Sequence, residues 1–255
     1  ILNGDDPHHE KMAKKAGCKV LTFGIKNPHV NCRIKEIQMH THHTTFKIEY
    51  GGRTIPISTH LLGRYNVLNV AAAMLTGLEM GIEEDSVRYS ITDVQNIPGR
   101  IEHIRTSAGF RVLVDYAHTP DALQNVLISA REFTQNRLIS VFGAGGDRDR
   151  GKRPEMGRIG SVFSDICIIT SDNPRTENPA LIIDDIIAGI EPHVVYEAIL
   201  DRRDAIFHAL EMAKQGDTVV IAGKGHETYQ QVGKDFFPFD DREVARECLK
   251  ALKRD

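Results

Sequence analysis

Long apolar runs are missing from this 255-residue sequence: none approaches the roughly 20 residues that cross a bilayer. Neither a signal peptide nor a membrane role is expected. Neither sign of charge dominates, since 32 Lys and Arg against 35 Asp and Glu leave a net charge of -3. Such a surface exerts no broad pull on nucleic acid or anionic lipid. The four cysteines, Cys18, Cys32, Cys167 and Cys248, are far apart and form no C-x-x-C pair. That argues against a disulfide frame or a zinc site and suits reduced structural thiols in a cytoplasmic protein.

Three near-motifs are incomplete. Gly146–Lys152 matches G-x-x-x-x-G-K between a strand and a helix, but Arg153 stands where magnesium binding needs Ser or Thr. Its interior is all charged, so it is rejected as a triphosphate loop. Gly143–Arg148 lacks the third glycine of a dinucleotide fingerprint. His40, His42 and His43 cluster, yet no Cys or acid completes a metal-ligand set, which fits a solvated loop or edge strand.

What is present is a globular composition, 41% hydrophobic and 26% charged, long enough for one large or two ordinary domains. The opening Ile1–Pro7 reads as the end of a strand and a turn, so sequence upstream of Ile1 is expected. A short helix over 8–16 and a strand over 19–25 follow. Gly51-Gly52 divides two alternating runs like a β-hairpin. A helix through Leu78 carries Asn66 and Asn69 three apart, hence on one face. Residues 83–95 form another short helix.

Asn96–Glu102 is a linker in composition, and a boundary is placed near residue 98. Five strand–helix alternations then predict a mainly parallel sheet with helices on both faces. Thr119 and Pro120 make a cap and first turn for a helix over 120–133. In such sheets ligands bind beyond the carboxyl ends of the strands. Four loops there are rich in chemistry: Asp115–Asp121, Gly143–Lys152, Ser171–Arg175 and Gly223–Glu227. Polar residues in four loops on one rim favour a binding site.

Ser171–Arg175 is the pivotal stretch. Its carboxylate, amide and guanidinium suit a ligand with both an amine and a carboxylate, such as an amino acid. A plain Asx-type turn with a solvated arginine fits those five residues equally well; the rest of the chain separates the two.

Read together, these stretches resemble the Mur ligases, the cytosolic family that builds the peptide stem of peptidoglycan. The resemblance rests on Asn3-Gly-Asp-Asp-Pro7, Gly63-x-x-Asn66-x-x-Asn69, Gly99-Arg-x-Glu102, Asp115-Tyr-Ala-His118-x-Pro-Asp121, Phe142-Gly-x-Gly-Gly-Asp-Arg-Asp149 and Gly223-Lys-Gly-His-Glu227, all in family order. Asp172-Asn-Pro-Arg175 is similar to the signature of the members that add meso-diaminopimelate. The resemblance implies an α/β fold: the second half of a P-loop-type ATPase central domain over 1–98, then a Rossmann-like C-terminal domain over 99–255. It implies ATP and Mg2+ as cofactors, and UDP-N-acetylmuramoyl-L-Ala-D-Glu and meso-diaminopimelate as partners of a cytoplasmic monomer.

Carried over by position, Asn66, Asn69, Arg100 and Asp115 would hold ATP between the two domains. Arg148, Asp172, Asn173, Pro174, Arg175, Gly223 and Glu227 would hold diaminopimelate. His226 is a neighbour with no assigned role. The family's GK-Thr phosphate loop, carbamylated lysine and uridine-nucleotide domain have no counterpart in these residues, so no metal ligand or catalytic residue is assigned, and the polypeptide alone is expected to be inactive. Two rivals are kept: a folylpolyglutamate synthase-like ligase, which the Asp172–Arg175 tetrad and Gly223–Glu227 argue against, and a non-catalytic amino-acid-binding module.

Overall fold

The computed structural model describes residues 1–40 and 43–255, so His42 of the histidine cluster lies outside the described residues. The chain separates into two compact units, Ile1–Asn96 and Ile97–Asp255. The first contains β1 (Leu2–Asn3), α1 (His9–Lys15), β2 (Thr22–Gly24), β3 (Cys32–Met39), β4 (Thr44–Tyr50), β5 (Arg53–Thr59), α2 (Arg64–Glu79) and α3 (Glu84–Asp93). Its five strands lie in chain order. β1, β2 and β3 run parallel, and β3, β4 and β5 form an antiparallel meander. Alternation decides which face is buried. Phe46, Ile48, Ile55 and Ile57 point inward and join Val67, Val70, Ala71 and Met74 of α2 in one core. At the hairpin tip Gly51 and Gly52 both have positive φ, 58° and 75°, matching the twist of the strands they join. His40 and His43 stack, with ring centroids 4.3 Å apart, and no metal-ligand cluster occurs among the described residues.

The second unit contains β6 (Glu102–Ile104), β7 (Arg111–Asp115), α4 (Pro120–Arg131), β8 (Leu138–Phe142), α5 (Lys152–Phe163), β9 (Ile166–Ile169), α6 (Pro179–Ile187), β10 (Val195–Ala198), α7 (Arg202–Met212), β11 (Thr218–Ala222), β12 (Tyr229–Val232), β13 (Asp235–Pro238) and α8 (Asp241–Ala251). The main sheet has the order β10-β9-β8-β11-β7-β6, with β12 and β13 forming a separate hairpin. All main-sheet pairs are parallel except β6 with β7. β8, β9 and β11 are buried throughout, as strands covered on both faces must be. Ile139, Val141, Val219 and Ile221 pack with Ala205, Ile206, Val244 and Ala245 of α7 and α8 on one face.

Local signals account for the helix starts. Thr119 Oγ1 accepts from the Ala122 amide with Pro120 in the first turn. Asn178 and Pro179 repeat the device at α6. One expectation needs correcting. The supposed linker ends in an edge strand, because Glu102–Ile104 find hydrogen-bonding partners on β7. Three residues are too few for a period to register in sequence.

Candidate functional site

Because β7, β8, β9 and β11 are parallel, their following loops emerge on one edge of the sheet, and there the polar residues meet. Asn173 is the hub. It is 3% exposed, and its Nδ2 donates to Glu227 Oε2 at 2.9 Å. Its Oδ1 accepts from Lys224 Nζ and from the Gln231 amide, both at 2.9 Å. Lys224 is fully buried and also lies 3.5 Å from Glu227. Burial pushes the Lys224 ammonium's pKa down, against the pull of nearby Asp172. The Asp172 carboxylate lies over Gly223, where a methyl group would come within 2.6 Å of its Oδ2. With φ at +123°, Gly223 also sits where side chains are strained. Asp172 and Glu227 thus form an acidic pole around a buried ammonium.

A cationic pole lies beside it. Arg175 is half-buried with a left-handed backbone, φ 51°, and its Nη1 donates to the Gly146 carbonyl at 2.8 Å. Arg148 is exposed and donates only within its own loop, to Asp147 O at 3.1 Å. The two flank Gly145: a methyl group there would stand 2.9 Å from Arg175 Nη1 and 3.8 Å from Arg148 Cγ. No ion pair engages either guanidinium among the described residues, so both keep donors for an added carboxylate. Lys152, half-buried with its pKa lowered by that burial, donates to the His118 carbonyl at 2.8 Å.

Beneath the poles, Arg202 and Asp241 form a fully buried pair, with Nε to Oδ1 at 2.8 Å and Nη2 to Oδ2 at 2.7 Å. Arg202 also donates to the carbonyls of Ser171 and Ala222, at 3.3 and 3.0 Å. Those carbonyls immediately precede Asp172 and Gly223 in their loops. Asp241 and the other acids hold the Arg202 guanidinium's pKa up although burial works against it. The pair arises between residues 39 apart in sequence, with no local signal. Lys224 had one, its place inside Gly223–Glu227.

Tyr116 joins two of the loops. Its ring lies 4.6 Å from His118, 5.1 Å from His226 and 5.5 Å below the Arg100 guanidinium. Burial first, then Glu227, raises the Tyr116 pKa. Asp115 is 3% exposed, and its two oxygens accept from the amides of Ala117 and Ile101, at 2.9 and 2.8 Å. In the first unit, Asn66 is fully buried, donates to Leu62 O at 2.8 Å and accepts from Asn69 at 3.3 Å, leaving Asn69 as the exposed member.

The G-x-x-x-x-G-K stretch is held by its own ion pairs. Arg153 is fully buried and bonds Glu177 at 2.8 Å and Asp185 at 2.9 Å. Asp147 accepts from the Thr176 amide and hydroxyl. Cys167 lies inside β9, where burial pushes its thiol up to about 11, and all four cysteines are free.

The second unit is a doubly wound α/β domain whose rim brings acidic and cationic groups together. Comparison with known families makes it specific: residues 1–77 match the Mur ligase middle domain, and residues 99–225 match the Mur ligase glutamate ligase domain. The chain belongs to the Mur ligase family. It is 43% identical over 252 residues to a UDP-N-acetylmuramoyl-L-alanyl-D-glutamate--2,6-diaminopimelate ligase of Syntrophomonas wolfei, covering 98% of this chain and 51% of that protein. It is 44% identical over 256 residues to the protein of that name from Clostridium botulinum, covering 99% and 52%. A solved structure under the same enzyme name superposes with a TM-score of 0.68 at 36% identity, covering 100% of this chain and 53% of that one. The chain spans about half the length of the curated relatives it matches.

Proposed function

We propose that this chain binds ATP and meso-diaminopimelate for a Mur ligase that joins this amino acid to UDP-N-acetylmuramoyl-L-Ala-D-Glu. The observation that carries the reading is the pairing of poles. Arg175 and Arg148 have donors unclaimed by any acid, while Glu227 is bonded to Asn173, two residues before Arg175, and Asp172 precedes Asn173 in the same loop. Diaminopimelate has a second amino-acid head where lysine has only an ammonium. A guanidinium fork rewards the extra carboxylate, and an acidic pole rewards the ammonium beside it. Pro174 and Gly223 shape the loops and offer no side-chain donor. The names of the relatives point to the same amino acid.

When bound, ATP supplies the phosphoryl group that activates the D-glutamyl carboxylate, with magnesium spreading the transferring charge. The nucleotide contacts proposed are, within the second unit, Arg100 and the Asp115 loop and, within the first unit, Asn69, oriented by Asn66. Arg100 suits the task, since its guanidinium rests on an aromatic face and stays exposed. The rim residues hold the amino acid so that its free amine can attack the activated carboxylate, and phosphate leaves. No three-ligand metal cluster occurs among the described residues, and no magnesium ligand is assigned to them. We also infer that the 255-residue polypeptide alone binds without forming the amide, because the family's GK-Thr phosphate loop has no counterpart in its sequence.

A thermal-shift series tests the reading. At a hundred times its dissociation constant, meso-diaminopimelate should stabilise the chain by about 2.7 kcal/mol. Lysine and glutamate at that concentration should do much less. An equal shift with lysine would remove the substrate assignment, and a shift with glutamate alone would favour the folylpolyglutamate-type rival.

A further inference from the structure

The hairpin of β12 and β13 contributes little to any core. β13 is exposed along its whole length, and Phe236 and Phe237 are 60% and 53% exposed. Two-stranded hairpins are marginal by themselves. This one spends its hydrogen bonds on the rim loop instead. The Arg175 amide donates to Gln231 O at 3.1 Å, and the Gly233 amide donates to Arg175 O at 2.7 Å. Together they form a parallel bridge between Arg175 and Val232. The Gln231 amide donates to Asn173 Oδ1 at 2.9 Å, and Gln230 Nε2 donates to Asp172 O at 2.7 Å. Asp172, Asn173 and Arg175 are therefore each tied to β12 by a separate bond. Arg175 needs this most, because a left-handed non-glycine backbone persists only where its surroundings over-determine it.

We propose that β12 and the turn after it form a specificity strap, with Gln230 and Gly233 as positioning residues that fix the Arg175 guanidinium relative to the acidic pole. A fixed separation selects an amino acid whose second carboxylate lies at one distance; a loose loop would accept either kind of head. The specificity half of this proposal rests on the substrate reading above, whereas the tether half does not.

The experiment uses the full chain and two variants, Gln230→Ala and Gly233→Pro. The first removes the donor to Asp172 O; the second removes the amide that bonds Arg175 O and also strains the turn, because proline cannot take the +60° φ of Gly233. Amide hydrogen exchange reads the tether directly. Exchange at Arg175 should quicken at least about tenfold in both variants, while β11 stays protected. Calorimetry reads specificity. The preference for meso-diaminopimelate over lysine should fall about tenfold, the scale of one hydrogen bond to a charged group. Unchanged Arg175 exchange in both variants overturns the tether. An equal loss of affinity for both amino acids overturns the specificity role and leaves ordinary structural support. A wild-type chain without preference overturns the substrate reading and the specificity role with it, and the exchange data still decide the tether.

Discussion

Replacing Arg202 with methionine should be the most damaging single change in the second unit. The guanidinium is fully buried and makes two bonds to Asp241, itself fully buried. Methionine fills much of the volume and leaves Asp241 as an unpaired buried charge. It also takes the Arg202 donors from the carbonyls of Ser171 and Ala222. Breaking a buried pair in this way costs about 3–5 kcal/mol. For a unit of this size, each kcal/mol moves the midpoint by about 2–4 °C, so the loss should reach roughly 6–20 °C. The chain has no tryptophan, so far-UV circular dichroism is the suitable probe of unfolding. Hydrogen exchange in β11 then reports the second unit separately. The double variant Arg202→Met, Asp241→Leu removes both charges and should recover part of the loss. It should remain about 1–3 kcal/mol below wild type, because the two carbonyls still lose a donor. A single variant that loses less than about 1 kcal/mol would refute this account of how the loop roots are held.

The remaining tests concern the rim. Arg175→Ala should lower affinity for meso-diaminopimelate by about ten- to hundredfold, the scale of one or two hydrogen bonds to charged groups, and leave lysine binding unchanged in a titration. Arg175→Lys should fall between, because an ammonium lacks the fork. Gly223→Ala should displace the Asp172 carboxylate, visible as weakened binding of both amino acids, since the acidic pole serves either ammonium. Glu177 is held at about 2 by Arg153, the Asp147 amide and Arg150. Its folded pKa lies below the unfolded value near 4.5, so its stabilisation is complete above that value and is lost as pH falls toward 2. Urea midpoints of wild type and Glu177→Gln should therefore differ at pH 6 and converge near pH 2.

The sequence alone determined most of the elements and their order, the short edge strand β6 excepted. Strand–helix alternation after residue 110 carried the sheet, because a parallel strand must be apolar throughout and each return helix must be amphipathic. Thr119-Pro120 and Gly51-Gly52 carried their cap and turn for equally local reasons. Parallel direction then carried the rim, since the ends of β7, β8, β9 and β11 must face the same way. The tertiary structure decided what each rim residue does. Asn173 proved to be a clamp on Lys224, Glu227 and Gln231, partners 51 to 58 positions away. Arg202, Asp241 and Gln230 entered the site only through the fold, because a side chain's partner across a sheet edge leaves no period in the sequence. Composition and spacing specify which groups reach an edge; desolvation and hydrogen-bond geometry at that edge specify which of them remain free for a ligand.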